Sequence, residues 1–154
     1  MDINQGEIIL SEMQGCFQEM DLPLMLGIDQ DNYSSYKWLG INSWIKNELY
    51  LANVSAGLQY SSGFITLQLH IHPASELIKQ DVTLRFLNMV NCFSLYGFWY
   101  FNPVKAEFVF QTGMAVTEKS FDRNQFMRTL RGLLTGAESD YPLIMKEINL
   151  MHQG

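Results

Sequence analysis

Charge is scarce in this chain, and so is every pattern that usually announces a reaction. Charged residues fill 17% of the 154 positions, and no block of like charge occurs. Set beside 47% hydrophobic residues, that balance excludes a disordered chain and describes a globular one. Lys and Arg number 10 against 16 Asp and Glu, for a net charge of −6. Such a chain repels a phosphate backbone, and the basic residues are scattered, so nucleic acid is not an expected partner. Their densest group is Arg123, Arg128 and Arg131 on one expected helix. No apolar run has the length needed to cross a bilayer, so no membrane role is expected. The opening MDINQGEIIL has no basic leader before an apolar run, which points to the cytoplasm.

Cysteine and proline are also sparse. Cys16 and Cys92 are the two thiols, each expected inside an apolar helix face. Without an export signal they are expected to be reduced, and the glycosylation triplets at 32–34 and 53–55 carry no meaning. The four prolines form no linker, and no repeat is visible, so residues 1–154 read as one domain. There is no G-x-S-x-G elbow, no phosphate loop and no G-x-G-x-x-G, and neither cysteine has a His or basic residue near it in sequence. The expectation is a protein that is not an enzyme and holds no cofactor.

What is present is a clear alternation of elements. Ile9, Met13, Cys16, Phe17 and Met20 recur at helical spacing over about 4–20. Pro23 and Gly27 break that helix, and Asp29 to Asn32 read as a turn. The runs SSYKWLGI, NELYLANVS and GFITLQLHIHP follow as three strands, with Ser61, Ser62 and Gly63 as a hairpin turn. In the third run Ile65, Leu67, Leu69 and Ile71 alternate with Thr66, Gln68, His70 and His72, which predicts a sheet with one face on the core. A second helix is predicted over about 75–94, with a stripe of Ile78, Val82, Phe86, Met89, Val90 and Phe93. Two further strands precede a third helix that starts near Ser120 or Asp122, carries Phe126, Leu130, Leu133 and Leu134 inward, and stops at Gly136. A last short helix starts at Tyr141-Pro142, with Ile144, Met145, Ile148 and Met151 inward. The order α-β-β-β-α-β-β-α(-α) predicts a two-layer α+β sandwich, a five-stranded antiparallel sheet with helices on one face.

The stretch LYGFWYFNP, 95–103, is aromatic on both faces of its strand. A hairpin turn over 102–105 or 103–104 pairs Phe101 with Ala106, Trp99 with Phe108 and Gly97 with Phe110. One face is then Gly97, Trp99, Phe101, Ala106, Phe108 and Phe110, suited to lie under the helices, with room for Phe110 over Gly97. The other is Tyr96, Phe98, Tyr100, Glu107, Val109 and Gln111. A slip of one residue would exchange them. With Gln68 and His70, the expected binding surface is Tyr96, Phe98, Tyr100, Val109, Gln68 and His70. Rings with polar tips are enriched at protein interfaces, and a patch of this size on a free monomer is uncommon.

Two smaller constellations stand out. His70 and His72 project to one side of a strand, which suits two ligands on one metal ion, with Glu107 or Glu76 as a third. The competing reading is a polar pair on a solvated or interface face. Asn88 and Asn91 share a helix side. They either form a hydrogen-bonded platform for a ligand or satisfy backbone groups where the helix meets the fourth strand, and burial favours the second. The carboxylate pairs Glu118/Asp122 and Glu138/Asp140 read as helix-end capping.

The run RFLNMVNCFSLYGFWYFN, 85–102, with Asn88 and Asn91 three apart and Gly97 opening an aromatic strand, resembles the YbjN family. The segments MAVTEKSFDRNQFMRTLRGLL and YPLIMKEI are similar to that family's C-terminal half. The resemblance covers about 70–150, and the first sixty residues share element order only. It implies the type III secretion chaperone-like fold and a bacterial regulator with no settled activity. Chaperones of that fold are acidic cytoplasmic homodimers that hold extended segments of other proteins, so a homodimer and an unidentified protein partner are expected.

Overall fold

The computed structural model describes residues 3–21, 24–25, 32–33, 36–46, 51–59, 62–72, 80–116 and 121–152. The elements are α1 (Ile3–Glu19), β1 (Leu24–Met25), β2 (Asn32–Tyr33), β3 (Tyr36–Lys46), β4 (Leu51–Gln59), β5 (Phe64–His72), α2 (Gln80–Asn91), β6 (Phe98–Asn102), β7 (Glu107–Ala115) and α3 (Arg123–His152). The expectations placed on Pro23, Gly27, positions 29–31, Ser61, Glu76, Ile78, Glu118 and Ser120 lie outside the described residues, as do those on the side chains of Val82, Ile148 and Met151.

Every strand pairing is antiparallel, in the order β1-β3-β4-β5-β7-β6 with β2 paired to β3. Among the described residues the sheet therefore has seven strands, not the expected five, and the added β1 and β2 are two residues each. The helix between β5 and β6 carries the chain past one strand position, so β7 fills the place beside β5 and β6 becomes the edge. The α+β class and the antiparallel sheet stand.

Alternation sets the core. Ile65, Leu67, Leu69 and Ile71 of β5 are buried and lie opposite Leu58, Ala56, Val54 and Ala52 of β4, which are buried too. Phe108 and Phe110 of β7 continue the same face and are fully buried. The helices cover this side: α1 contributes Ile9, Met13, Cys16 and Phe17, and α3 contributes Phe126, Leu130, Leu133, Ala137, Tyr141 and Ile144. Asp122 caps α3, its Oδ1 accepting from Gln125 N at 2.9 Å.

Three helical expectations need correction. The predicted stop at Gly136 and restart at Pro142 are one continuous 30-residue helix. Gly136 is buried, and a Cβ there would sit 2.8 Å from Phe110 Cε1, so the glycine permits close approach of helix to sheet. Pro142 is tolerated because it is exposed, while its neighbours Tyr141 and Ile144 anchor the helix to the core. On α2, Phe86 and Leu87 are buried whereas Met89 is 52% exposed, so the apolar stripe is rotated from the predicted one, and the helix ends at Asn91, which leaves Phe93 beyond it and 79% exposed. Cys92, at the end of that helix, is accordingly exposed, while Cys16 is buried; both are free thiols.

Candidate contact face of the sheet

The β6–β7 register differs from the predicted one by two residues. Trp99 pairs with Phe110 and Phe101 with Phe108, and the turn spans 103–106. Asn102 Oδ1 accepts from Val104 N at 3.1 Å and Lys105 N at 3.4 Å, and Ala106 takes a φ of 50°, which lengthens the turn. A shift of two keeps the parity of a strand, so the paired side chains of β6 and β7 stay on their predicted faces. Trp99 is buried and stacks on Phe110 with ring centroids 4.7 Å apart. Its indole Nε1 donates to Asp140 of α3 at 3.1 Å, so Asp140 is a mid-helix acceptor and not a cap.

The opposite face carries no helix among the described residues. Across it run Asn53, His70, Val109 and Tyr100 in one row, and Ser55, Gln68, Gln111 and Phe98 in the next. Phe98 is 46% exposed and Phe64 40%, while Tyr100, Gln68, His70 and Gln111 are half-buried. Phe98 and Tyr100 lie side by side with centroids 6.1 Å apart.

Of the predicted members of the surface, Tyr96 is placed elsewhere and Val109 is covered. Tyr96 precedes the start of β6, so strand alternation does not apply to it; its ring lies over Gly132 of α3 and its Cβ near Gly136. Val109 is on the open face but wholly buried, set between the longer His70 and Tyr100. Gly97 does lie against Phe110, where a Cβ would be 3.2 Å from the ring.

Below the rings the face is knit by polar groups. Gln68 Nε2 donates to Gln111 Oε1 at 2.7 Å and to Tyr100 Oη at 3.2 Å. Burial, and secondarily the nearby charge of Glu107, push the Tyr100 phenol above its ordinary range, which keeps it protonated. Glu107 is buried and is clasped between two imidazoles: Oε1 lies 3.1 Å from His70 Nδ1 and Oε2 lies 3.5 Å from His72 Nε2. Ser55 Oγ lies 3.3 Å from His70 Nε2. Alternation identified both histidines and Glu107. Ser55 was missed, although the β4–β5 register, which pairs it with Gln68, places it on their face.

The histidine pair is thus brought together with Glu107, each ring on a different carboxylate oxygen. Among the described residues, no group of three or more His, Cys, Asp or Glu side chains is arranged to hold a metal ion. The asparagine pair divides. Asn91 donates from Nδ2 to Trp99 O at 2.9 Å and accepts from Trp99 N at 2.6 Å, so it satisfies the backbone of the edge strand. Asn88 is exposed.

No protein-family model matches the chain, and no curated protein matches it. Among solved structures, a chain from the crystal structure of the ExsC–ExsE complex is similar, with a TM-score of 0.61 and 16% identity. The match covers 94% of this chain and 97% of that one. No helix of the described residues is long and apolar enough to cross a membrane. The likeness spans nearly the whole of both chains, and at 16% identity it is a likeness of fold.

Proposed function

We propose that this protein is a non-enzymatic, chaperone-like binding or regulatory module of the YbjN kind, acting in the bacterial cytoplasm. It uses the open face of its sheet to form a homodimer or to hold a partner protein. The observation that carries this reading is the face itself. Phe98, Tyr100, Gln68 and His70 lie together on a side that no described helix covers, and the polar tips of Tyr100, Gln68 and His70 are already engaged in internal hydrogen bonds. A preorganised face of rings and amides loses little side-chain entropy on docking. A second support is that the similar fold belongs to a chain crystallised in a complex of two proteins.

Sedimentation velocity over a dilution series tests the self-association half. The expected result is a dimer that dissociates on dilution. A single-chain species at every concentration removes the homodimer and leaves only the partner-binding role.

A further inference from the structure

Ser55, His70 and Glu107 come from the strands β4, β5 and β7 and lie on one diagonal of the open face. His70 is opposite Asn53 and Val109, so Ser55 and Glu107 fall two residues away on opposite sides of that row. Ser55 Oγ is 3.3 Å from His70 Nε2, and His70 Nδ1 is 3.1 Å from Glu107 Oε1. The second oxygen of Glu107 faces His72, so the carboxylate is held at both ends.

The direction of these bonds follows from the donor inventory. A carboxylate only accepts, so His70 Nδ1 carries the ring proton. In the neutral imidazole Nε2 then presents a lone pair that can accept from the Ser55 hydroxyl. That is the polarity of an activated nucleophile, which is recognised by geometry and not by sequence position. Ser55 and His70 are half-buried, so an external carbonyl can reach them, while Glu107 is shielded.

We propose that Ser55 is an acyl-acceptor site for activated esters, with His70 as its base and Glu107 as a positioning residue. In the step, Ser55 Oγ bonds to the carbonyl carbon and the bond from that carbon to the leaving oxygen breaks. The hydroxyl proton passes to His70 Nε2 and from there to the leaving oxygen or to water. Nothing is oxidised or reduced. Ser55 sits mid-strand between Asn42 and Gln68, where backbone N–H groups serve the ladder and not an oxyanion. One such donor is worth about 10²–10³ in rate, so the site suits donors with a good leaving group and takes up one acyl group without turning over. This goes beyond the binding reading and does not rest on it.

The test uses p-nitrophenyl acetate with the full chain. The expected result is a burst of one p-nitrophenolate per chain, with tandem mass spectrometry placing one acetyl group on Ser55. Ser55→Ala abolishes the burst, and His70→Gln slows it by about 10²-fold or more. Glu107→Gln slows it and alters its pH profile, which a purely structural role does not do. Acetylation elsewhere, no acetylation, or a Ser55 rate unchanged in His70→Gln overturns the proposal. The site mapped in the parent protein decides the matter even where a variant fails to fold.

Discussion

Replacing Asn91 by alanine probes the joint between α2 and the sheet edge. The Asn91 amide makes two bonds to the backbone of Trp99, at 2.6 Å and 2.9 Å, and so stands where a further strand would pair with β6. Each bond contributes about 1 kcal/mol net, and because water reaches the part-buried groups left behind, their desolvation cost adds only up to about 1 kcal/mol between them. Asn91 is the last residue of α2, so alanine recovers little helix propensity. The expected loss is about 2–3 kcal/mol. For a chain of this length that lowers Tm by roughly 4–12 °C. Urea unfolding followed by tryptophan fluorescence reads it as a midpoint lowered by about 1 M, taking m near 2 kcal/mol/M. Asn88→Ala, at an exposed site on the same helix, is expected to stay within about 0.5 kcal/mol of the parent. If the two variants unfold alike, the reasoning about the edge is refuted.

Two other outcomes are expected. Gly136→Ala ordinarily gains about 1 kcal/mol of helix propensity, but its Cβ would press on Phe110, which is fully buried and stacked on Trp99. The variant is therefore expected to lose about 1–2 kcal/mol by thermal unfolding, and a rise in Tm contradicts the close approach of α3. Iodoacetamide at neutral pH is expected to modify the exposed Cys92 well before Cys16, whose thiol burial pushes above its usual 9.0. Because the folded state holds the Cys16 proton more tightly, that contribution to stability is full below pH 9 and is lost as pH rises beyond it. Peptide mapping of alkylated protein and alkaline unfolding curves check the two statements.

The local rules of strand alternation reached furthest in this sequence. The β5 run FITLQLHIH was legible because its period of two matches its burial throughout. The β6–β7 hairpin was misregistered by two residues, yet its faces were right, because parity survives an even shift. Tyr96 shows the limit of that logic: alternation was extended beyond the first residue of the strand, and the backbone there had already turned toward α3. Glycine and proline misled for a tertiary reason. Gly136 answers to the ring of Phe110 and not to helix termination, and Pro142 is outvoted by the buried Tyr141 and Ile144 beside it. The stripe on α2 was misjudged because Met89 is apolar but unburied while Leu87 faces inward, and because the helix ends at Asn91, before Phe93. The clasp of Glu107 by two histidines needed the pairing of β5 with β7, a long-range fact that no local pattern in the chain contains.

The central claim is that the open face of the sheet is the contact surface, and light scattering of the parent beside Phe98→Asp tests it most directly. Phe98 is nearly half exposed, so aspartate there is expected to leave the fold intact while placing a charge on the proposed interface. The account predicts a parent of twice the 17.8 kDa chain mass and a folded variant of one chain mass. A dimeric parent whose Phe98→Asp variant remains dimeric contradicts it, and a parent of one chain mass removes self-association and confines the face to partner binding.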